Sequence, residues 1–260
     1  MELSYKEKIR ILFREAFIPL LFYHGIFFFT VTIVGFILFG GIEKNYMICH
    51  MAGAGVTAFA MYRTYNNDIW WSTKSDKKNI KELFLLIVAI ILIAFSLNDL
   101  LINSPLITMS KSYKNTSKIF YTGGLIIEII GNAFLTPLAE EIIYRGIVFN
   151  KLNLYLKKHN SIIISALIFG LVHGNIVQFV YAFVFGIIFA LLVEKKKGIQ
   201  ISIILHMCVN LFGVLRTNFK SLNISFSSNI KIDLLIKTVL LIGGFYTVFA
   251  FIREKKITDK

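Results

Sequence analysis

The chain has 260 residues, 56% of them hydrophobic and 15% aromatic, with a mean hydropathy of +0.70 and only 3 prolines. This composition excludes an ordinary soluble domain, because apolar stretches near the ~20 residues a helix needs to cross a bilayer recur along nearly the whole length. The net charge of +13 is not a nucleic-acid footprint either, since the basic residues collect on alternate loops and suit membrane topology and contact with anionic lipid.

Residues 1–15 read as a basic amphipathic lead-in lying at the inner interface. The apolar run from Ala16 to Gly40 is too long for a signal-peptide core and lacks a small-residue cleavage site, so it is expected to stay as the first membrane helix. Helix two covers about Tyr46 to Tyr62 and contains Ala52, Gly53, Ala54 and Gly55, small residues that let neighbouring helices approach. A polar loop with Trp70 and Trp71, suited to an interfacial belt, leads to helix three over about Leu83 to Asn103. Beyond an outer loop the chain is apolar again from Ile119. Thr136-Pro137 resembles an N-cap followed by a proline at the first helical position, which predicts a helix start or a kink. Helices five to eight are expected near Ser161–Gly174, Ile176–Val193, Ile199–Leu215 and Ile232–Ile252.

The predicted fold is all-α, a polytopic bundle of about eight transmembrane helices in one membrane domain. Residues 1–118 hold the lead-in and the first three helices, and residues 119–260 hold helices four to eight. Nineteen Lys and Arg residues fall on one side, among them Lys6, Arg10, Lys74, Lys77, Lys78, Lys151, Lys158, Lys197, Lys255, Lys256 and Lys260. Seven fall on the other, including Lys44, Lys111, Lys114 and Lys118, so both termini are expected in the cytoplasm. Cys49 and Cys208 sit inside apolar runs, where a thiol behaves as a small hydrophobe, and no disulfide framework is expected.

Ionisable groups are costly inside a membrane helix and require partners or a function. Three clusters stand out. In Glu140-Glu141-Ile142-Ile143-Tyr144-Arg145, Glu141 and Arg145 are four apart and can pair, while Glu140 points to another face. Phe169 and His173 form the second cluster, with Gly170 and Gly174 at a small-xxx-small spacing. His206 and Asn210 form the third, one turn apart on one face. Counting helical rise from the nearest inner lysine puts Glu140 and His206 at depths of roughly 15 and 13 Å, and His173 deeper, at roughly 22 Å.

The order Glu-Glu-x-x-x-Arg, Phe-x-x-x-His and His-x-x-x-Asn on successive late helices resembles the CPBP family, the CAAX-protease and bacteriocin-processing proteins also called Abi. The resemblance runs from about Thr136 to Gly213 and leaves the first helices unconstrained. It implies an intramembrane endopeptidase with Glu140 as general base, His173 positioning the attacking water, and His206 with Asn210 stabilising the oxyanion. Glu141 and Arg145 would be a structural ion pair and Phe169 a cavity wall. Tyr144 suits either packing or function, whereas His24, His50, Asp99 and Glu128 are read as helix–helix hydrogen bonders outside the site.

There is no His-Glu-x-x-His and no Gly-x-Ser-x-Gly. No cofactor is expected. The alternative is a catalytic zinc held by Glu140, His173 and His206, ranked second because Asn210 is a natural oxyanion donor and a poor zinc ligand. The expected substrate is a small membrane-associated peptide or protein such as a bacteriocin or pheromone precursor, and the Lys, Ile, Asn and Phe richness points to a bacterial source. Competing readings are a non-catalytic scaffold or self-immunity protein and, last, a transporter, for which the inverted repeats are missing.

Overall fold

The computed structural model describes residues 4–71, 80–110, 113 and 119–253. The topological residues Lys74, Lys77, Lys78, Lys111, Lys114, Lys118, Lys255, Lys256 and Lys260 lie outside them. The described residues form helices and connecting turns, with no strand. Eight long helical rods run up and down: α1 (Tyr5–Leu12, a π-helical segment Phe13–Phe17, then Ile18–Phe39), α2 (Tyr46–Tyr65), α3 (Ile80–Ile102), α4 (from Leu125 to Tyr155), α5 (Lys158–Leu171), α6 (Ile176–Lys196), α7 (Gln200–Asn218) and α8 (Ile230–Arg253). Five of them are long and apolar enough to cross a membrane: α1, α3, α6, α7 and α8. α5, at 14 residues, is an apolar helix too short to do so.

The basic lead-in does not lie apart from the first span. Ser4 and Glu7 form a capping box, Ser4 Oγ accepting from Glu7 N at 3.3 Å and Glu7 Oε2 from Ser4 N at 2.8 Å. The helix started there runs on through Phe13–Phe17 into the membrane rod.

Of the start or kink predicted at Thr136-Pro137, the start does not occur. α4 is continuous there, and the proline is accommodated by a π-helical segment, Ile129–Leu135, just before it. A second π-helical segment, Ile142–Phe149, follows. α4 is the central rod, packing on α1, α2, α5, α6 and α7, while α3 pairs with α8, α5 with α6 and α1 with α2. Since lipid is as apolar as leucine, these interfaces rely on close fit. At Gly53 an added Cβ would lie 2.7 Å from Val31 of α1.

One end of the bundle is tied by ion pairs from the expected inner side: Lys151 to Asp68 at 2.6 Å and Glu15 at 3.5 Å, Lys158 and Lys197 to Glu194 at 3.0 and 2.6 Å, and Lys196 to Glu82 at 3.2 Å. Here Trp70 and Trp71 pack on protein. Trp70 stacks on Phe149 with ring centroids 6.2 Å apart, and Trp71 meets Tyr62 edge-on at 6.3 Å. The Trp70 backbone bridges two helices, its N–H donating to Gly146 O of α4 at 3.3 Å and its carbonyl accepting from Ile199 N before α7 at 3.0 Å.

The other end is held by a buried four-charge cluster. Asp99 of α3 meets Arg216 of α7 and Lys237 of α8, both at 2.6 Å, and Lys237 also meets Asp233 at 2.7 Å. Phe95 lies beneath both cations, 4.7 Å from the Arg216 guanidinium and 5.2 Å from Lys237 Nζ. Two acids balance two bases, so the cluster is neutral as a unit. Asp99→Asn would leave two cations facing one carboxylate and is expected to destabilise the protein by about 3 kcal/mol. Adding Lys237→Met restores the balance and should recover most of that loss. Thermal unfolding in detergent micelles measures both, and additive losses would count against a coupled cluster.

Candidate active site

Glu140 and Glu141 lie at the end of the regular segment Thr136–Glu141 of α4, and Tyr144 and Arg145 in the π-helical segment that follows. Glu141 is fully buried, and its Oε1 accepts from Arg145 at 2.9 Å and from Nδ1–H of His206 at 2.8 Å. The acid expected to serve only as a partner for Arg145 is therefore also the group that orients His206. With Nδ1 committed to this carboxylate, the ring turns Nε2 to Glu140 Oε2, 3.6 Å away. Glu140, unlike Glu141, is partly accessible, with 17% of its side chain exposed.

Phe169 joins the site's members. Its ring centroid lies 5.0 Å from His173, 5.9 Å from His206 and 4.9 Å from Tyr144, and the Arg145 guanidinium sits 4.2 Å from it. Arg145 is thus buried against an aromatic face as well as paired. Phe189 of α6 completes the enclosure, 5.2 Å from the His206 ring.

His173 lies past the end of α5, in the turn to α6. Its Nδ1 is 2.7 Å from the Phe169 carbonyl. A carbonyl only accepts, so Nδ1 carries the hydrogen and Nε2 keeps a lone pair. The turn is held by Gly174 at φ 71 and by Asn175, whose side chain accepts from Gln178 N at 2.9 Å and donates to His173 O at 3.3 Å. The two glycines flanking His173 therefore differ from the small-xxx-small expectation. Gly170 faces α6, where a Cβ would meet Phe179 O at 3.1 Å, while Gly174 has open space around it and supplies the left-handed turn. His173 bears electrostatically on Glu140 and His206.

Asn210 is half-buried and donates to the Asn132 backbone carbonyl at 2.9 Å. The reason lies in Pro137. In the preceding π-helical segment the Thr136 N–H reaches back five residues to Gly131 O. The next bond in that register would run from residue 137 to Asn132 O, and proline has no N–H to make it. Asn210 fills the vacant acceptor, keeping its second amide hydrogen and its oxygen free. The side chain of Thr136 caps nothing.

Among the described residues no group of three His, Cys, Asp or Glu side chains is arranged to hold a metal ion. Glu140, His173 and His206 have suitable donor chemistry for zinc, but two of the four imidazole nitrogens are already taken by Glu141 and Phe169 O.

Residues 122–212 match the family model described as type II CAAX prenyl endopeptidase Rce1-like. This segment, about a third of the chain, is similar to the CPBP/CAAX protease family. The matched segment includes every predicted site residue, from Glu140 to Asn210, and excludes α1, α2, α3 and α8. No curated protein and no solved structure matches the chain. α1, outside the matched segment, adds to the candidate site a residue that its sequence context left aside. His24 Nε2 lies 3.2 Å from the Tyr144 hydroxyl, one turn beyond Glu140. The only sequence signal was a lone imidazole in an apolar helix.

The Asn210–Asn132 contact gives a stability test. Asn210→Ala leaves a half-buried carbonyl without its donor, at a cost of about 1–3 kcal/mol. Pro137→Ala restores the missing N–H, so the double variant should regain stability that Asn210→Ala loses. An unfolding midpoint in micelles that stays low in the double variant would contradict this account of Pro137.

Proposed function

We propose that the protein is a glutamate-dependent intramembrane endopeptidase hydrolysing a peptide bond in a small membrane-associated peptide or protein. The observation that carries the reading is the relay Arg145–Glu141–His206–Glu140, at 2.9, 2.8 and 3.6 Å, which is sealed at Arg145 and partly accessible at Glu140. A buried carboxylate behind an imidazole, with a second carboxylate in front, is an arrangement for holding and moving a proton.

In this reading Glu140 takes a proton from a water molecule while the water oxygen attacks the scissile carbonyl. The lone pair on His173 Nε2 accepts the water's other hydrogen and fixes its direction. The oxyanion receives hydrogen bonds from a protonated His206 Nε2, which Glu141 supports from behind, and from the second amide hydrogen of Asn210. Glu140 then passes its proton to the leaving amine, the C–N bond breaks, and the carboxylic acid product departs. Every step uses this chain's own residues, and metal-free catalysis ranks ahead of the zinc alternative.

We place both termini and the lysine-rich end of the bundle in the cytoplasm of a bacterial cell. The substrate we favour is a bacteriocin or pheromone precursor, with prenylated CAAX-type peptides as the family's comparison class.

The test is cleavage in liposomes of internally quenched peptides, one of precursor type and one prenylated. Glu140→Gln and His173→Ala should each lower kcat by about 10²-fold or more, and a chelator should leave the wild-type rate unchanged. Full activity in Glu140→Gln would sink the mechanism. Loss on chelation with recovery on adding zinc would replace it with the metal-dependent one.

A further inference from the structure

His24 is set in a 22-residue apolar stretch of α1, Ile18–Phe39, where an imidazole is expensive unless partnered. Its partner is Tyr144, at 3.2 Å, on the helix that carries Glu140. Tyr144 is buried, and His24 is half-buried beside it. Side chains four apart on a helix lie about 5–6 Å from one another at Cβ, so Tyr144 and Glu140 share one side of α4. Consistent with that placement, Glu140 bears electrostatically on Tyr144, on Tyr23 of α1 and on His173. Tyr23 packs edge-on against Tyr144 at 6.1 Å, and Tyr144 packs on Phe169 at 4.9 Å, so the phenol ring is fixed from both sides. His206 is the one hydrogen-bonding or ion-pair partner of Glu140 among the described residues, at 3.6 Å, leaving the rest of the carboxylate's acceptor capacity open.

We propose that His24 and Tyr144 are positioning residues for Glu140: the imidazole of α1 sets the direction of the Tyr144 hydroxyl, so that its O–H dipole points its positive end towards the Glu140 carboxylate. This requires the His24 tautomer with its proton on Nε2, so that Nε2–H donates to the phenolic oxygen and leaves the phenolic hydrogen turned towards the carboxylate. The phenol is a donor throughout and keeps its proton. α1, outside the segment that matches the family, thereby becomes part of the machinery orienting the base. The proposal rests on Glu140 acting as general base.

The experiment measures kcat, KM and the pH profile of kcat/KM with the quenched precursor and prenylated peptides in liposomes, after folding is checked by thermal unfolding. Tyr144→Phe removes the dipole and should lower kcat roughly 10-fold with KM little changed, the low end of the range for an oriented polar group acting on a charge. The acid limb of the profile should move to higher pH, because a carboxylate that loses a nearby positive dipole end binds its proton more tightly. His24→Leu should reproduce both effects, His24→Gln, which keeps an N–H donor, should restore much of the rate, and the double variant Tyr144→Phe/His24→Leu should be no worse than either single one.

Wild-type kinetics with an unmoved acid limb in folded Tyr144→Phe would overturn the proposal while leaving the protease reading intact. Rate losses in folded variants without movement of the acid limb would overturn it too, since a packing role lowers the rate without changing that ionisation. Undiminished cleavage by Glu140→Gln removes the protease mechanism, and this proposal with it.

Discussion

A carboxylate deprived of water survives in a bilayer only if other groups replace its hydration, and Glu141 sets that condition for the bundle. Its replacement comes from Arg145 on its own helix and from His206 on α7. Arg145 in turn needs the faces of Phe169 on α5 and Phe189 on α6, 4.2 and 5.4 Å from its guanidinium. One buried charge thus commits four helices to a single arrangement. Removing either partner would strand the other in a medium that cannot solvate it, a loss on the order of 3–5 kcal/mol. The orientation of His206 follows from this commitment, so the site's geometry and the stability of the bundle rest on the same contacts.

The main chain of α4 follows the same rule. A backbone group inside a membrane must find a protein partner, and a rod with two π-helical segments has more groups to place than a regular helix. The Asn132 carbonyl is answered by Asn210 of α7, and the Gly146 carbonyl by Trp70, whose own carbonyl is answered by Ile199 just before α7. α4 and α7 are therefore linked on either side of the Glu141–His206 contact, by an amide at one level and by a backbone strap at another. Three links at different heights along two rods restrict sliding and rotation alike, and so fix the spacing of Glu140 from His206 and Asn210.

Local spacing made some of this legible in the sequence. Glu141 and Arg145 are four apart, a distance that has one meaning on a helix, and the three motifs on late helices pointed to the right segment. The relation of Glu141 to His206 was hidden, since 65 residues separate them and either histidine nitrogen might have faced either acid. The His24–Tyr144 contact spans 120 residues. Asp99 was legible as a helix–helix hydrogen bonder, but its partners Arg216 and Lys237 sit on later helices that no local spacing connects to it. Thr136-Pro137 misled for a different reason: proline usually marks a boundary, and only the wider register of the preceding segment lets the helix continue.

Polar groups in this protein divide into those with matched valences and those without. The cluster of Asp99, Arg216, Lys237 and Asp233 is internally balanced, and Glu128 is met by Asn218 at 2.7 Å. Some unmatched atoms are sealed, such as Nδ1 of His50 inside a cage of Phe27, Tyr46 and Phe120, where no ligand has access. Glu140, His173 and Asn210 are different, because each is only partly buried and each keeps a lone pair or hydrogen unused by the fold. An accessible valence left open in a membrane interior is costly unless water or substrate fills it. That the open valences belong to an imidazole acceptor, a carboxylate and an amide donor is what distinguishes these three residues from the bundle's structural ion pairs.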